Sequence, residues 1–195
     1  MYFYYENLIV LYIVRRVISL INEEIIKNWG VPDSIKYNNI EFIFSNDNLN
    51  SDFKNNNIIE DLGCDYKRSK FCLYDKENNK IILTMNFFIY GIDENPLFIG
   101  REKRIKLICL CVNDFEMRGK GIAKYYLEKL IEFGIYNKIN KFELYPNPYN
   151  NFFKNLNKIN ALNLEELKDF YIKIFTTLGF NYEEDKALGL IFEKL

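Results

Sequence analysis

A buried strand that runs through a glycine-containing turn into a helix is the feature that most constrains this chain. Residues 105–112 form a nearly continuous apolar run, which is typical of a central strand covered on both faces. Gly119 and Gly121 follow, and apolar residues then recur at helical spacing, namely Ile122, Tyr126, Leu130 and Phe133. This order predicts an α/β domain with a central sheet.

Further strands and helices are predicted around this unit. Asn163 and Glu166 form a capping-box pattern at the start of a helix that runs to Leu178. Helical spacing also extends from Val14 to Ile25, and Gly30 and Pro32 are expected to stop that helix. Asn-rich residues 46–57 are expected to form a loop, and residues 149–161 a second Asn-rich connection. The expected strands are residues 4–14, 40–44, 71–74, 80–92, 141–145 and 188–195.

The length of 195 residues corresponds to about one domain at ~150 residues per domain. Neither an internal repeat nor a linker interrupts the pattern, so a single domain over residues 1–195 is expected. Lys and Arg total 26 and Asp and Glu total 27, which gives a net charge of -1. A broad basic surface for nucleic acid is therefore not expected.

The chain contains no histidine. This excludes Ser-His-Asp catalysis, Cys-His catalysis and a histidine-ligated metal. A general base must then be a carboxylate, Tyr, Lys, Cys, a chain terminus or a relayed water. The four cysteines show no C-x-x-C pair, so we expect no metal site, a reduced interior and a cytoplasmic protein.

The apolar residues 8–14 require a check for membrane targeting. Arg15 and Arg16 interrupt the run, which is far shorter than the ~20 residues of a membrane span. Glu6 precedes the run and no small-residue cleavage site follows it, which is the reverse of a signal peptide. We expect this segment to belong to the folded protein, with no membrane partner.

The glycine turn predicts an anion site. A helix N-terminus presents unpaired N–H groups and a partial positive charge, and Gly119 and Gly121 allow a phosphate to approach the backbone. The P-loop pattern is absent, and Lys124 stands where the Rossmann fingerprint needs its third glycine. A tight strand-to-helix turn without a ligand is the alternative explanation.

The same residues resemble a known loop. The stretch Leu110-Cys111-Val112, followed by Arg118-Gly119-Lys120-Gly121-Ile122-Ala123 and a helix, resembles the acyl-CoA loop of the GNAT superfamily of N-acetyltransferases. Arg118, Gly121 and Ala123 fill the fixed positions of its pattern [RQ]-x-x-G-x-[GA]. The resemblance covers residues 71–195, whereas residues 1–70 match only in outline.

The resemblance implies a GNAT-type α/β fold, with a mixed, mostly antiparallel sheet of six or seven strands and helices on both faces. It implies acetyl-CoA as co-substrate, with its pantetheine arm between two splayed strands. Its pyrophosphate would lie on the loop amides, and a backbone N–H near Cys111 or Val112 would hold the developing oxyanion. The neighbouring residues implied to bind the cofactor are Leu110, Arg118, Gly119, Lys120, Gly121, Ile122 and Ala123.

Three departures from the family pattern concern the chemistry. Arg118 lies six positions after Val112, one more than the pattern leads us to expect. Phe175 stands where the family often has the tyrosine that protonates the leaving thiolate, while Tyr171 lies one helical turn earlier. Glu143 is the candidate general base on the following strand, and a water relay is the alternative. Tyr171 could also be an ordinary core residue, and Glu143 a solvated carboxylate.

The implied activity is acetyl transfer to a primary amine of a small molecule, a peptide or protein, or a charged tRNA. The acceptor itself cannot be read from the sequence. A catalytically weak acyl-CoA-binding or sensing domain is the alternative, because Phe175 replaces the usual acid and no base is evident. Other nucleic-acid partners are not expected, and a homodimer is one expectation for the assembly.

Overall fold

The structure is a computed structural model that describes residues 23–36, 39–44, 71–90, 102–153, 157–187 and 189–195. The chain divides into two compact units, Met1–Val31 and Pro32–Leu195. In the first unit, residues 23–28 are helical, and Gly30 follows with a φ of +69°, as the predicted helix end requires. The predicted strand 4–14 lies outside the described residues, and the single domain over residues 1–195 stays a prediction.

The second unit is built on a seven-stranded mixed sheet with the order β1-β2-β3-β4-β5-β7-β6. Neighbouring strands are antiparallel except β4 and β5, which are parallel. The predicted mixed, mostly antiparallel sheet is therefore confirmed. The strands are β1 Ile40–Phe44, β2 Phe71–Asp75, β3 Lys80–Tyr90, β4 Arg104–Val112, β5 Lys141–Leu144, β6 Asn181–Asp185 and β7 Gly189–Glu193.

Two helices follow the parallel strands, and both begin where the sequence predicts. Helix α1 spans Ile122–Tyr136 and begins directly after Gly121. Helix α2 spans Leu164–Thr177, and the capping box of Asn163 and Glu166 is formed in both directions. Glu166 N–H donates to the Asn163 side chain at 3.0 Å, and Asn163 N–H donates to Glu166 at 2.8 Å. Within the described ranges, no helix is both long and apolar enough to cross a membrane.

Strands β4 and β5 pair only over the first half of β4. Their last pair is Leu107 with Leu144, while β4 continues along β3 as far as Val112. At this point Ile108 is an extra residue, because Asn86 pairs with Cys109 and Phe87 pairs with Leu107. Such a bulge increases the local twist of a strand. The bulge thus coincides with the point where β4 separates from β5 and leaves a gap in the sheet.

Aromatic residues fill the core between α2 and the far half of the sheet. Phe175 stacks on Phe192 with ring centroids 3.9 Å apart, and Phe142 and Phe180 lie within 5.4 Å of the Phe175 ring. All four are almost completely buried. The strand β6 that covers this end was not predicted, because its five residues are all exposed and carry no apolar alternation.

Gly134 is the residue at which α1 approaches the sheet most closely. A Cβ atom at this position would overlap the Phe142 ring and lie 3.2 Å from Ile105 Cδ1. We expect Gly134→Ala to lower the free energy of unfolding by about 1–2 kcal/mol, because overpacking costs more than the helix propensity of alanine returns. Urea unfolding measures this loss. Adding Phe142→Leu should restore part of it, and a gain in stability for Gly134→Ala alone would contradict the packing described here.

Candidate active site

A cavity of about 680 Å³ lies at the gap between β4 and β5, beside the start of α1. Its walls are mostly apolar, as is usual for a site that binds an organic ligand. Exposed apolar side chains at its surface include Ile108 and Tyr145. Its described lining consists of Asn86, residues 107–112, 117–119, 121–124 and 144–148, Asn150, Phe153, Asn157, Lys158, residues 160–162, Leu167, Phe170 and Tyr171.

The edge of β4 that faces the gap presents backbone groups of Leu110 and Val112. Asn113 N–H donates to Ile82 O at 2.8 Å, across the ladder with β3. Successive residues of a strand direct their N–H groups to opposite edges. The N–H groups of Leu110 and Val112 therefore point toward the gap, while that of Cys111 points toward β3. Of the two residues named for the oxyanion, Val112 is the one whose N–H faces the cavity.

The turn before α1 accommodates the extra residue noted in the sequence. Phe115–Met117 form a 3₁₀ turn, and Asp114 caps it by accepting a hydrogen bond from Glu116 N–H at 3.0 Å. Gly119 and Gly121 then adopt φ values of +78° and +79°, which favour glycine. A Cβ atom on either glycine would have no neighbour within 4 Å, so the space above this backbone is open.

The N-terminus of α1 is open to an anion. The first helical hydrogen bond is from Tyr125 N–H to Gly121 O at 2.9 Å, so the three preceding N–H groups have no partner within the helix. Gly121 provides no side-chain cap, and no acidic residue lies in the first turn. Together with the positive end of the helix dipole, these amides form a site suited to a phosphate or pyrophosphate.

The Arg118 side chain binds backbone carbonyls. Its Nε donates to Val112 O at 3.0 Å, and its Nη1 donates to Asn157 O at 2.6 Å and to Ile159 O at 2.7 Å. Nη2 makes a longer contact of 3.5 Å with Asn113 O. Arg118 is thus held at the edge of the cavity by four oxygens. By contrast, Lys120 Nζ contacts only the sulfur of Met117 among the hydrogen bonds described.

Tyr171 lines the cavity together with Cys111. Burial, with a smaller contribution from Cys111, raises the pKa of the Tyr171 phenol well above its ordinary value. Burial also raises the pKa of the Cys111 thiol to about 11, although Arg118 and Lys158 act in the opposite direction. Both groups therefore stay protonated at neutral pH. Tyr171 can donate a proton to a neighbouring anion, and Cys111 is a poor nucleophile.

Glu143 occupies a different environment. Its side chain is buried in β5, and Arg104 Nε lies 3.0 Å from its Oε1. Arg104 Nε makes no well-aligned hydrogen bond, so the contact is an ion pair rather than a directed bond. Arg104 also lies over the Tyr90 ring at 4.7 Å. Glu143 is not among the described residues of the cavity wall. The expectation that it is a solvated carboxylate is wrong, because it is buried against Arg104.

The sequence predicted that the cysteines are reduced, and this prediction is wrong for Cys109. Cys72 and Cys111 are not disulfide-bonded, whereas Cys109 is. The spacing of Cys109 and Cys111 does place them on one face of β4, opposite Asn86 and Thr84. Over the residues that the structure describes, no three Cys, Asp or Glu side chains converge as they would around a metal ion.

The Asn-rich connection before α2 forms part of the cavity wall, which the sequence did not indicate. Asn157, Lys158 and residues 160–162 line the cavity. Lys158 Nζ donates to Pro148 O at 3.2 Å, and Asn160 Nδ2 contacts Phe115 O at 3.4 Å. No apolar periodicity marks these residues, because they are ordered by distant partners rather than by a local pattern.

Several solved structures resemble this chain. A GNAT-family acetyltransferase from Listeria monocytogenes 4b F2365 is 15% identical over 68% of this chain and 66% of its own, with a TM-score of 0.40. The NatC complex bound to Gag peptide and CoA is 16% identical over 63% of this chain and 67% of its own, with a TM-score of 0.37. The ribosomal-protein-S5-alanine acetyltransferase from Vibrio fischeri is 18% identical over 63% of this chain and 57% of its own, with a TM-score of 0.35. The match spans less than two thirds of the Listeria chain.

No protein-family model and no curated protein sequence matches the chain. Three features of the chain itself bear on its fold. They are the mixed, mostly antiparallel sheet, the separated parallel pair β4 and β5, and the loop from Arg118 to Ala123 that leads into α1. They are the features that the resemblance implied, and on them the chain has a GNAT-type α/β fold.

Proposed function

We propose that this protein is an acetyl-CoA-dependent N-acetyltransferase that transfers the acetyl group to a primary amine by direct attack. One observation carries the proposal. An open anion site, formed by Gly119, Gly121 and the first amides of α1, adjoins a cavity at the gap between two parallel strands. A ligand in which a diphosphate carries a long uncharged arm matches both parts. CoA has this chemistry.

The proposed binding mode follows from the backbone. The pyrophosphate accepts hydrogen bonds from the amides of residues 119–124, where no side chain obstructs it. The pantetheine arm lies along the free edge of β4 and pairs with the backbone groups of Leu110, as an added strand does. Val112 O is already occupied by Arg118 Nε, so Val112 offers only its N–H to the ligand.

The proposed reaction needs few side chains. The neutral amine nitrogen bonds to the acetyl carbonyl carbon, and the carbonyl oxygen becomes an oxyanion that Val112 N–H stabilises. The C–S bond then breaks, and the departing thiolate takes the phenolic proton of Tyr171. The attacking nitrogen loses its extra proton to water, and the Tyr171 phenolate regains a proton from water, so that one proton in total passes from nitrogen to sulfur. Tyr171 is proposed for this role because its side chain lines the cavity and its phenol is protonated at neutral pH.

Glu143 is not assigned a step in this mechanism. Its carboxylate is held by Arg104 and lies outside the described lining of the cavity. An amine that binds in its neutral form needs no protein base before the attack. The class of acceptor, whether a small amine, a peptide, a protein or a charged tRNA, is left open by the proposal.

Binding and turnover measured together test the function. Calorimetry should detect CoA binding to the wild-type protein, and pantetheine, which lacks both the diphosphate and the adenosine 3′-phosphate, should bind about 100-fold or more weakly. Acetyl-CoA turnover against a panel of amines should release free CoA thiol in proportion to acetylated product. Binding without turnover on any amine would favour the alternative, a sensing domain. No CoA binding at all would refute both.

The pH dependence of kcat/KM provides a separate prediction. An alkyl amine with a pKa of ~10.4 is mostly protonated at pH 7, so we expect the rate to rise through pH ~8 with the neutral amine. Because the pKa of Tyr171 is raised, its acid form persists, and no fall is expected below pH ~10. Glu143→Gln should leave the rise unchanged. If Glu143 were the base, Glu143→Gln would instead remove the rise of kcat/KM with pH. A profile that is flat for the wild-type protein would indicate rate-limiting product release.

A further inference from the structure

The guanidinium of Arg118 joins two parts of the chain that are about forty residues apart. On one side it binds Val112 O, the last carbonyl of β4 that faces the gap. On the other side it binds Asn157 O and Ile159 O with its Nη1 at 2.6 and 2.7 Å. Charge-assisted hydrogen bonds of this length are stronger than neutral ones. Arg118 is therefore a strong link between the end of β4 and the segment before α2.

The peptide group between Val112 and Asn113 is held from both sides. Its N–H donates to Ile82 O at 2.8 Å, and its C=O accepts from Arg118 Nε at 3.0 Å. This fixes the end of β4 directly beside Val112 N–H, which faces the cavity. Nε and Nη1 of Arg118 donate to carbonyl oxygens and are therefore engaged within the protein without a phosphate.

The segment linked to Arg118 contributes directly to the cavity. We call residues 157–162 the cavity wall. All of them except Ile159 line the cavity. Within the wall, Ile159 N–H donates to Asn157 Oδ1 at 2.9 Å, and Ala161 N–H donates to Lys158 O at 3.0 Å. The wall continues into α2, which carries Tyr171.

We propose that Arg118 is a positioning residue that holds the cavity wall against the end of β4. Because Arg118 immediately precedes the anion-binding glycines, the order of the wall depends on the state of that loop. Occupancy of the loop by a diphosphate then makes the wall more rigid. The proposed function enters only in naming CoA as the diphosphate ligand.

Substituting lysine for Arg118 distinguishes the positioning of the cavity wall from phosphate binding. Arg118→Lys keeps the positive charge but cannot reproduce the planar fork that reaches Val112 O and both wall carbonyls. In the free protein, we expect amide exchange at Ile159 and Ala161 to become about tenfold faster, as measured by hydrogen-exchange mass spectrometry. We expect CoA affinity, measured by calorimetry, to stay within about threefold of wild type.

The coupling between loop and wall has its own readout. Saturating CoA should slow exchange in the wall of the wild-type protein, and this protection should be lost in Arg118→Lys even when the variant is saturated with CoA. Replacing a residue that has only a general structural role would not change the difference in wall amide exchange between the free and the CoA-bound protein. Lys129→Ala is the matched control, because it removes one cation that pairs with Glu132 at 2.7 Å on the flank of α1. It should leave both measurements unchanged.

Two results would overturn the proposal. One is unchanged exchange in the wall of the free Arg118→Lys protein. The other is a loss of CoA affinity beyond tenfold in Arg118→Ala that lysine restores, with no change in exchange, which would make Arg118 a phosphate ligand. The exchange measurement on the free protein needs no CoA. A protein that fails to bind CoA would thus refute the proposed function while still deciding whether Arg118 holds the wall.

Discussion

Gly121→Glu is expected to lower the affinity for CoA by about 100-fold or more. Gly121 is the N-terminal cap of α1, and the space that its Cβ would occupy is open in this structure. A glutamate would fill that space with a side chain and place a negative charge beside the helix amides. The pyrophosphate needs the same space and carries the same sign of charge. Calorimetry with CoA measures the loss.

Gly179→Glu is the matched control for this substitution. Gly179 has a φ of +82° and only Lys194 Cε, at 3.9 Å, near its hypothetical Cβ. Each glutamate therefore carries a similar backbone cost, about 1–2 kcal/mol, and the same charge. Only Gly121 adjoins the anion site. We expect comparable losses of thermal stability in the two variants but normal CoA affinity for Gly179→Glu. A folded Gly121→Glu protein that binds CoA normally would refute the site.

Tyr171→Phe is expected to lower kcat by about 100-fold while CoA affinity changes little. The variant keeps the aromatic ring in the cavity and removes only the proton that the leaving thiolate would take. Single-turnover kinetics with acetyl-CoA and an active amine from the panel would locate the loss in the chemical step. An unchanged kcat would make Tyr171 a packing residue of the cavity.

Tyr126→Phe is the matched control, because it removes a hydroxyl group of the same kind from the core. Tyr126 is fully buried in α1 and, like Tyr171, has a pKa raised by burial. Tyr126 is not among the described residues that line the cavity. We expect this variant to alter stability and leave kcat unchanged. A similar fall in kcat for both variants would point to a general structural effect.

Phe175→Tyr is not expected to create a new acid. The Phe175 ring stacks on Phe192 at 3.9 Å and is surrounded by other aromatic rings, so an added hydroxyl would be buried without a designed partner. A buried hydroxyl without a partner destabilises the fold. The family pattern thus points to a position that the aromatic core of this chain occupies, whereas Tyr171, like Tyr145, lines the cavity.

Local patterns in the sequence determined the elements that build the site. The apolar run of β4, the positive-φ glycines before α1 and the capping box of α2 each depend on neighbouring residues, and the structure contains all three. The exposed edge strand β6 was missed, because a charged strand without apolar alternation has no local signal. The sequence also predicted an extra residue after β4, which the 3₁₀ turn of Phe115–Met117 takes up.

Only the tertiary structure decided which partner each polar side chain has. Arg118 reads as a phosphate-binding residue from its neighbours in the loop, yet its carbonyl partners lie 39 and 41 residues later in the chain. Glu143 reads as a solvated carboxylate, yet the pairing of β4 with β5 buries it beside Arg104. Helical spacing and strand alternation are set by local backbone geometry and are visible in the sequence. Contacts between distant residues depend on how the sheet twists and separates, which no local pattern records.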